Sequence, residues 1–365
     1  MGLKCGIVGL PNVGKSTLFN ALTAAAIPAE NYPFCTIEPN VGVVAIPDKR
    51  LAMLAAIAKP ERIVPAVMEF VDIAGLVAGA AKGEGLGNKF LSHIRETDAI
   101  IEVVRCFEDD NVIHVAGRVD PLADIEVINT ELGLADLESV DRALARESKA
   151  ARAGNKDEVK RRELLTRIRA HLNEGGMVRT LDLSEEERLI VRGFSLLTAK
   201  PVLYVGNVKE GGLSNNPLWD RVCARAKEDK AQAVAICAAF EAELVSLPEE
   251  ERPAFLAEIG LDEPGLNRLV RSAFALLGLE TFFTVGPQEV RAWTIRQGSL
   301  APQAAGVIHT DFEQGFIRAE VIGFDDYVRL SGEQGAREAG KLRLEGRDYV
   351  MHDGDVVHFR FNVSR

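Results

Sequence analysis

The sequence predicts an α/β protein: a doubly wound, mainly parallel sheet, an antiparallel helical hairpin inserted into it, and a small α+β domain after it. Three observations carry that expectation. Apolar runs rich in β-branched residues recur at residues 4–8, 67–71, 99–104, 201–205 and 232–236, with helical patterns between them. The interval between the third and fourth runs is much longer than one crossover helix requires. Beyond Leu277-Gly278-Leu279 the texture changes to short strands punctuated by Gly and Asp, at 292–295, 316–321, 349–350 and 356–361.

Taken in order, the first run leads through a Gly-rich turn into a helix marked by Leu18, Phe19 and Leu22. In the long interval, Ile125, Ile128, Leu132, Leu137, Val140 and Leu144 keep near-helical spacing, and Val159, Leu164, Leu165, Ile168 and Leu172 repeat it after Gly154-Asn155. Two long helices meeting as a hairpin follow from that pattern. Ser184 and Glu187 form a capping box for a further helix leading back to the sheet. The expected domains are 1–120 with 199–278, the insertion 121–198, and a terminal domain 279–365.

At 365 residues, 47% hydrophobic and 27% charged, the chain suits a globular protein of two or three folding units. Its apolar runs fall well short of the roughly 20 residues needed to cross a bilayer. The first strand begins too early for a cleavable leader, so a cytoplasmic location without membrane contact is expected. Cys5, Cys35, Cys106, Cys223 and Cys237 lack C-x-x-C spacing, which fits reduced core thiols. A net charge of −11 argues against indiscriminate polyanion binding and leaves such contact to a local basic face. Oligomeric state is not readable, and a monomer is the default expectation.

Gly9-Leu10-Pro11-Asn12-Val13-Gly14-Lys15-Ser16 matches G-x-x-x-x-G-K-[ST] between a strand and a helix. In such a turn backbone N–H groups converge on phosphates, a lysine neutralises the β and γ oxygens, and a hydroxyl at the helix N-terminus reaches Mg²⁺. The expected nucleotide contacts are therefore Asn12, Val13, Gly14, Lys15, Ser16 and Thr17. The run 67–71 leads into Asp72-Ile73-Ala74-Gly75, where Asp72 would bind Mg²⁺ through water and the Gly75 amide would sense the γ-phosphate. Thr36 is the candidate hydroxyl of a closing loop, against the plain alternative of a loop threonine.

Leu76 stands where many small GTPases carry the glutamine that orients water, so a polar group must come from elsewhere. His114 is one candidate, and a histidine packed for structural reasons is the competing reading. Gly79 to Gly87 offers a second segment able to move with nucleotide state. Asn207-Val208-Lys209-Glu210 occupies the place of the guanine-reading N-K-x-D, with the acid lengthened to Glu210, which makes adenine permissible. Cys237 and Ala238, after the next strand, complete the expected base contacts.

Together these residues resemble the YchF-type Obg-like ATPases, nearly end to end, through G-x-P-N-V-G-K-S from Gly9, F-C-T-I-E-P-N from Phe34, D-I-A-G-L-V from Asp72 and N-x-x-E from Asn207. The segments at 292–295, 305–311 and 346–355 look like a ubiquitin-like TGS domain. The resemblance implies a P-loop NTPase that hydrolyses ATP with Mg²⁺, binds GTP more weakly, and engages ribosomes or ribosomal RNA. Asn12 matches an asparagine linked in related hydrolases to K⁺, and Cys237 departs from a common Ser. A GTP-hydrolysing switch and a nucleotide sensor with negligible hydrolysis are the alternatives. Ten Lys and Arg between Arg142 and Arg169 make the insertion locally basic, either as a solvated face or as a phosphate-binding one.

Overall fold

The structure is a computed structural model in which residues 3–25, 40–73, 86–150 and 156–362 are described. Its strands are β1 (Lys4–Val8), β2 (Val41–Ala45), β3 (Arg62–Val64), β4 (Val67–Asp72), β5 (Ala99–Arg105), β6 (Val202–Asn207), β7 (Gln232–Ile236), β8 (Leu279–Val285), β9 (Glu289–Arg296), β10 (Phe316–Gly323), β11 (Arg343–Glu345) and β12 (Asp355–Phe361). The helices up to the insertion are α1 (Lys15–Ala24), α2 (Lys49–Ala58), α3 (Leu86–Arg95), α4 (Pro121–Ala150), α5 (Lys156–Asn173) and α6 (Glu185–Arg192). They continue as α7 (Pro217–Glu228), α8 (Ala238–Ser246), α9 (Arg252–Glu258), α10 (Gly265–Leu276), α11 (Ala301–Ile308), α12 (Thr310–Gln314), α13 (Phe324–Arg329) and α14 (Glu333–Glu338).

The described residues divide into two compact units, those of Met1–Val43 and Glu69–Ala273, and those of Val44–Met68 and Phe274–Arg365. The first unit is built on the sheet order β2-β4-β1-β5-β6-β7. Pairings of β1 with β4 and β5, of β5 with β6 and of β6 with β7 are parallel. Every residue of β5 and β6 is buried, as expected for strands covered on both faces. The chain leaves β1 to one side for β4 and to the other for β5, so the crevice outside their carboxyl ends is the natural ligand site. All five strands read from sequence are present, and β2, whose run Val41-Gly42-Val43-Val44-Ala45 is short and contains Gly42, is an addition to that reading.

The insertion folds as α4 and α5 around a core that includes Val140, Ala143, Leu164, Leu165, Ile168 and Leu172. Ser184 and Glu187 form both bonds of the capping box of α6. Asp136 on α4, wholly buried, accepts from the Leu197 amide at 2.9 Å, the Thr198 amide at 2.8 Å and the Thr198 hydroxyl at 2.6 Å. That carboxylate fastens the hairpin to the segment entering β6. Arg179 donates to Asn129 Oδ1 of α4 at 3.0 Å, while Tyr204 of β6 and Arg225 of α7 share Asp229 Oδ2. Glu102 on β5 lies in this cluster; burial pushes its carboxyl up to about 8, against the pull of the Arg179 guanidinium.

In the second unit the order is β11-β10-β12-β8-β9-β3. Its core gathers Phe282, Ile295, Phe316, Val321, Val357 and Phe359 under α11. The edge strand β3 comes from far earlier in the chain and pairs parallel to β9. Arg50, on α2, bonds Asp48 and reaches Asp353 Oδ2 at 2.7 Å, with its guanidinium 5.2 Å from the Phe283 ring. Residues 44–68, which the sequence pattern assigns to the first domain, are thus held in the C-terminal unit. The expected strand at 349–350 is only an isolated bridge between Val350 and Leu300, while β8 and β11 join the sheet. Among the described residues Cys5, Cys106, Cys223 and Cys237 form no disulfide, and no helix is long and apolar enough to cross a membrane.

Candidate functional site

The carboxyl ends of β1, β4, β5, β6 and β7 bring the predicted residues to one edge of the sheet. A Cβ on Gly9 would lie 2.7 Å from the Val103 carbonyl oxygen and 2.9 Å from Val13 Cγ2, so the turn leaves β1 in close contact with β5. Asn12 adopts φ 64, a left-handed conformation that asparagine tolerates, and donates from Nδ2 to the Ile113 carbonyl at 3.0 Å. Gly14 has φ 95, and a Cβ there would fall 2.1 Å from Asn207 Nδ2. Helix α1 then begins at Lys15 with no side-chain cap, leaving its first turn open to an anion.

Lys15, about nine-tenths buried, forms an ion pair with Asp72 at the end of β4. Ser16 and Thr17 follow it, exposed on the first turn. In this conformation the ammonium group occupies the Asp72 carboxylate, which could hold a divalent cation only once that pair opens. Two oxygen donors on neighbouring elements suit Mg²⁺, which keeps most of its waters and takes few protein ligands. Among the described residues no group of three or more His, Cys, Asp and Glu side chains could hold a metal ion. Thr36, Gly75, Leu76 and the segment 79–85 lie outside the described residues.

Asn207 clamps two loops. Its Nδ2 donates to the Val13 carbonyl at 2.9 Å, and its Oδ1 accepts from the Ala238 amide at 3.1 Å. The clamp fixes the phosphate turn against the start of α8. Around it, Val208 is buried and donates its amide to the Ile236 carbonyl at 2.9 Å. The amides of Val208 and Ala238, two of the residues expected at the base, are thus engaged within the protein in this conformation. Glu210 is exposed, as is Lys209, whose ammonium group lies 5.9 Å from the Phe107 ring. Burial pushes the Cys237 thiol up.

The loop after β5 is organised by a residue that no sequence motif singles out. Arg105, 1% exposed, donates to the carbonyls of Phe107, Val112 and Asp109 at 3.0, 2.8 and 3.2 Å, and its guanidinium stacks 4.6 Å from the Phe107 ring. An arginine ending an apolar strand was the available signal. His114 sits in this loop with its side chain 3% exposed. Its Nδ1 accepts from the Ala116 amide at 3.2 Å, which leaves Nε2 to donate to Asp124 Oδ2 at 3.0 Å. Burial pushes the Asp124 carboxyl up, and the His114 hydrogen bond opposes that. Both ring nitrogens are engaged in this conformation and the ring pins the loop to α4, the arrangement expected of a histidine packed for structural reasons.

Comparison with known proteins matches this arrangement. A family model described as "50S ribosome-binding GTPase" covers residues 4–133, and the C-terminal YchF GTPase model, described as "Protein of unknown function (DUF933)", covers 279–362. The chain is 60% identical over 363 residues to the ribosome-binding ATPase YchF of Haemophilus influenzae and 52% identical over 367 residues to that of Bacillus subtilis, each spanning 100% of both chains. It superposes on the Schizosaccharomyces pombe YchF GTPase structure with a TM-score of 0.89 at 39% identity, covering 98% of each chain. A GTP-binding protein from Pyrococcus horikoshii, at 20% identity and a TM-score of 0.60, shares the fold. The P-loop turn, the Asn207 clamp and full-length identity place this chain in the YchF family of P-loop NTPases.

Proposed function

We propose that this protein is a Mg²⁺-dependent ATP hydrolase, weaker with GTP, that works as a nucleotide-switched, ribosome-associated factor in the cytoplasm. The single observation that carries the nucleotide chemistry is the Lys15–Asp72 ion pair at the mouth of α1, with Asn207 holding the turn around it. On binding, triphosphate draws Lys15 away from Asp72, and the first-turn amides of α1 take the β-phosphate oxygens. Ser16, Thr36 and Asp72 would hold the magnesium, which supplies charge neutralisation on the phosphates. The names of the curated relatives support ATP and the ribosome as partners.

The exposed Glu210 and the backbone around Cys237 meet the base, and Asn12 is the candidate for K⁺ dependence. With Leu76 in the water-positioning place, intrinsic turnover is slow. Any part played by His114 in orienting water requires nucleotide binding to release its ring from Asp124. The domains divide the labour: the first sheet binds nucleotide, while the insertion and the C-terminal TGS-like unit present surfaces to partners.

Phosphate release with ATP and with GTP, for wild type and Lys15→Ala, tests the reading. ATP hydrolysis is expected in the wild type and its loss in the variant; equal rates in the two proteins would end it. A GTPase reading draws on the description of the Schizosaccharomyces pombe relative. Side-by-side titration with fluorescent ATP and GTP decides between them, and a guanine preference above about tenfold, or about 1.4 kcal/mol, selects GTP.

A further inference from the structure

We propose that the cleft between α4 and the turn after α6 is a seat for one nucleotide of single-stranded RNA. It rests on the ribosome-associated reading above and names the surface that would make the contact. The cleft, of about 600 Å³, is lined by Val140 and Leu196 at its apolar floor, by Phe194 at its side, and by Ser139, Arg142 and Arg146. That volume lies within the range of about 300–1,000 Å³ typical of small-ligand sites. It takes one unstacked base rather than a duplex.

The geometry follows from the helix. Ser139, Arg142 and Arg146 stand three and four residues apart on α4 and therefore share a face. Across from them the chain leaves α6 at Gly193 and turns through Ser195, whose φ of 50 is a left-handed conformation uncommon outside glycine. Phe194, half-buried against the hairpin core, thereby keeps part of its ring on the cleft. An aromatic wall beside two exposed guanidinium groups is the combination that holds a stacked base and the two phosphates flanking it.

Cations remain available beside this cleft. Lys160, Arg167 and Arg169 are closed onto Glu186, Glu187 and Asp141 at 2.9, 2.9 and 2.6 Å. By contrast, Arg142 reaches its acid, Glu138, only at 3.8 Å while donating to the Ser139 hydroxyl at 3.5 Å, and Arg146 has no ion pair with the described side chains. In a chain of net charge −11, a polyanion is drawn to local groups of available cations, and Arg142 with Arg146 is such a group. A carboxylate-rich protein segment could satisfy the arginines but would leave the aromatic wall without a partner.

Full-length protein carrying Arg142→Glu with Arg146→Glu, and separately Phe194→Leu, tests this by sedimentation with ribosomes at several salt concentrations. A labelled single-stranded oligoadenylate and an RNA duplex of equal length serve as second probes. The double variant is expected to lose at least about tenfold in ribosome and oligoadenylate affinity, with the slope of log affinity against log salt reduced by about 1.4, or about 0.7 for each phosphate no longer neutralised. Phe194→Leu keeps an apolar filler, weakens oligoadenylate binding and leaves the salt slope unchanged. The duplex binds more weakly than the single strand.

Variants that sediment like wild type overturn the seat and leave the ribosome reading standing. Wild type that never sediments overturns the ribosome reading itself. Ribosome binding abolished in the double variant, with no oligoadenylate bound by the wild type, assigns the cleft to a protein partner and overturns the RNA proposal. Thermal melting and basal ATP hydrolysis, both expected unchanged, exclude misfolding as the cause.

Discussion

At the phosphate turn, atoms meet with no room between them: Gly14 backs onto Asn207 Nδ2, Gly9 onto the Val103 carbonyl, and Asn207 ties Val13 to Ala238. On the helical hairpin the contacts are of another kind. Its core is a regular apolar stripe, and its charges pair at the surface, as Arg169 does with Asp141. Backbone groups confined by one side chain have no alternative arrangement, whereas a stripe of leucines and solvated ion pairs can readjust. One region is therefore sensitive to single atoms, and the other absorbs substitutions.

The strongest way to break that contrast is Gly14→Ala. The new Cβ meets Asn207 at 2.1 Å in a backbone conformation that alanine disfavours. ATP affinity measured by titration calorimetry should fall on the order of a hundredfold, about 2.7 kcal/mol. Wild-type affinity in this variant would show that the turn has slack. Next comes Asn207→Leu, which leaves the buried Val13 carbonyl and Ala238 amide without their bonds at about 1–3 kcal/mol each. A drop of at least about tenfold in ATP affinity is expected. Asn207→Asp, which keeps the acceptor for Ala238, should lose less.

Glu102 lies between the two regions, on β5 and facing Arg179 of the insertion. Its folded carboxyl holds its proton up to about pH 8, whereas an unfolded glutamate releases it near 4.5. The native state thus binds more protons within that window, and this group's contribution to stability falls as pH rises through it. Glu102→Gln removes that part of the slope. Melting temperatures recorded from pH 5 to 9 should converge at the acid end and favour the variant at the alkaline end, and parallel curves would contradict the assignment. The smallest effect is reserved for Arg169→Ala, which opens one exposed ion pair and should move the melting temperature by no more than about 2 °C.

Short-range information made much of this molecule legible. The strand–turn–helix from Lys4 to Ala24, the spacing of Ile125 to Leu172 and the Ser184–Glu187 box each depend on residues a few positions apart, so the order of residues along the chain was enough to specify them. It was enough, too, to bring Lys15 and Asp72 together, because each follows or ends one of two neighbouring strands of a parallel sheet. Three-dimensional closure was needed before Asn207 could clamp Val13, 194 positions away, and before β3 could pair with β9. Such bonds exist only where the closed fold brings distant chain segments within about 3 Å, and no local periodicity encodes which pair will meet.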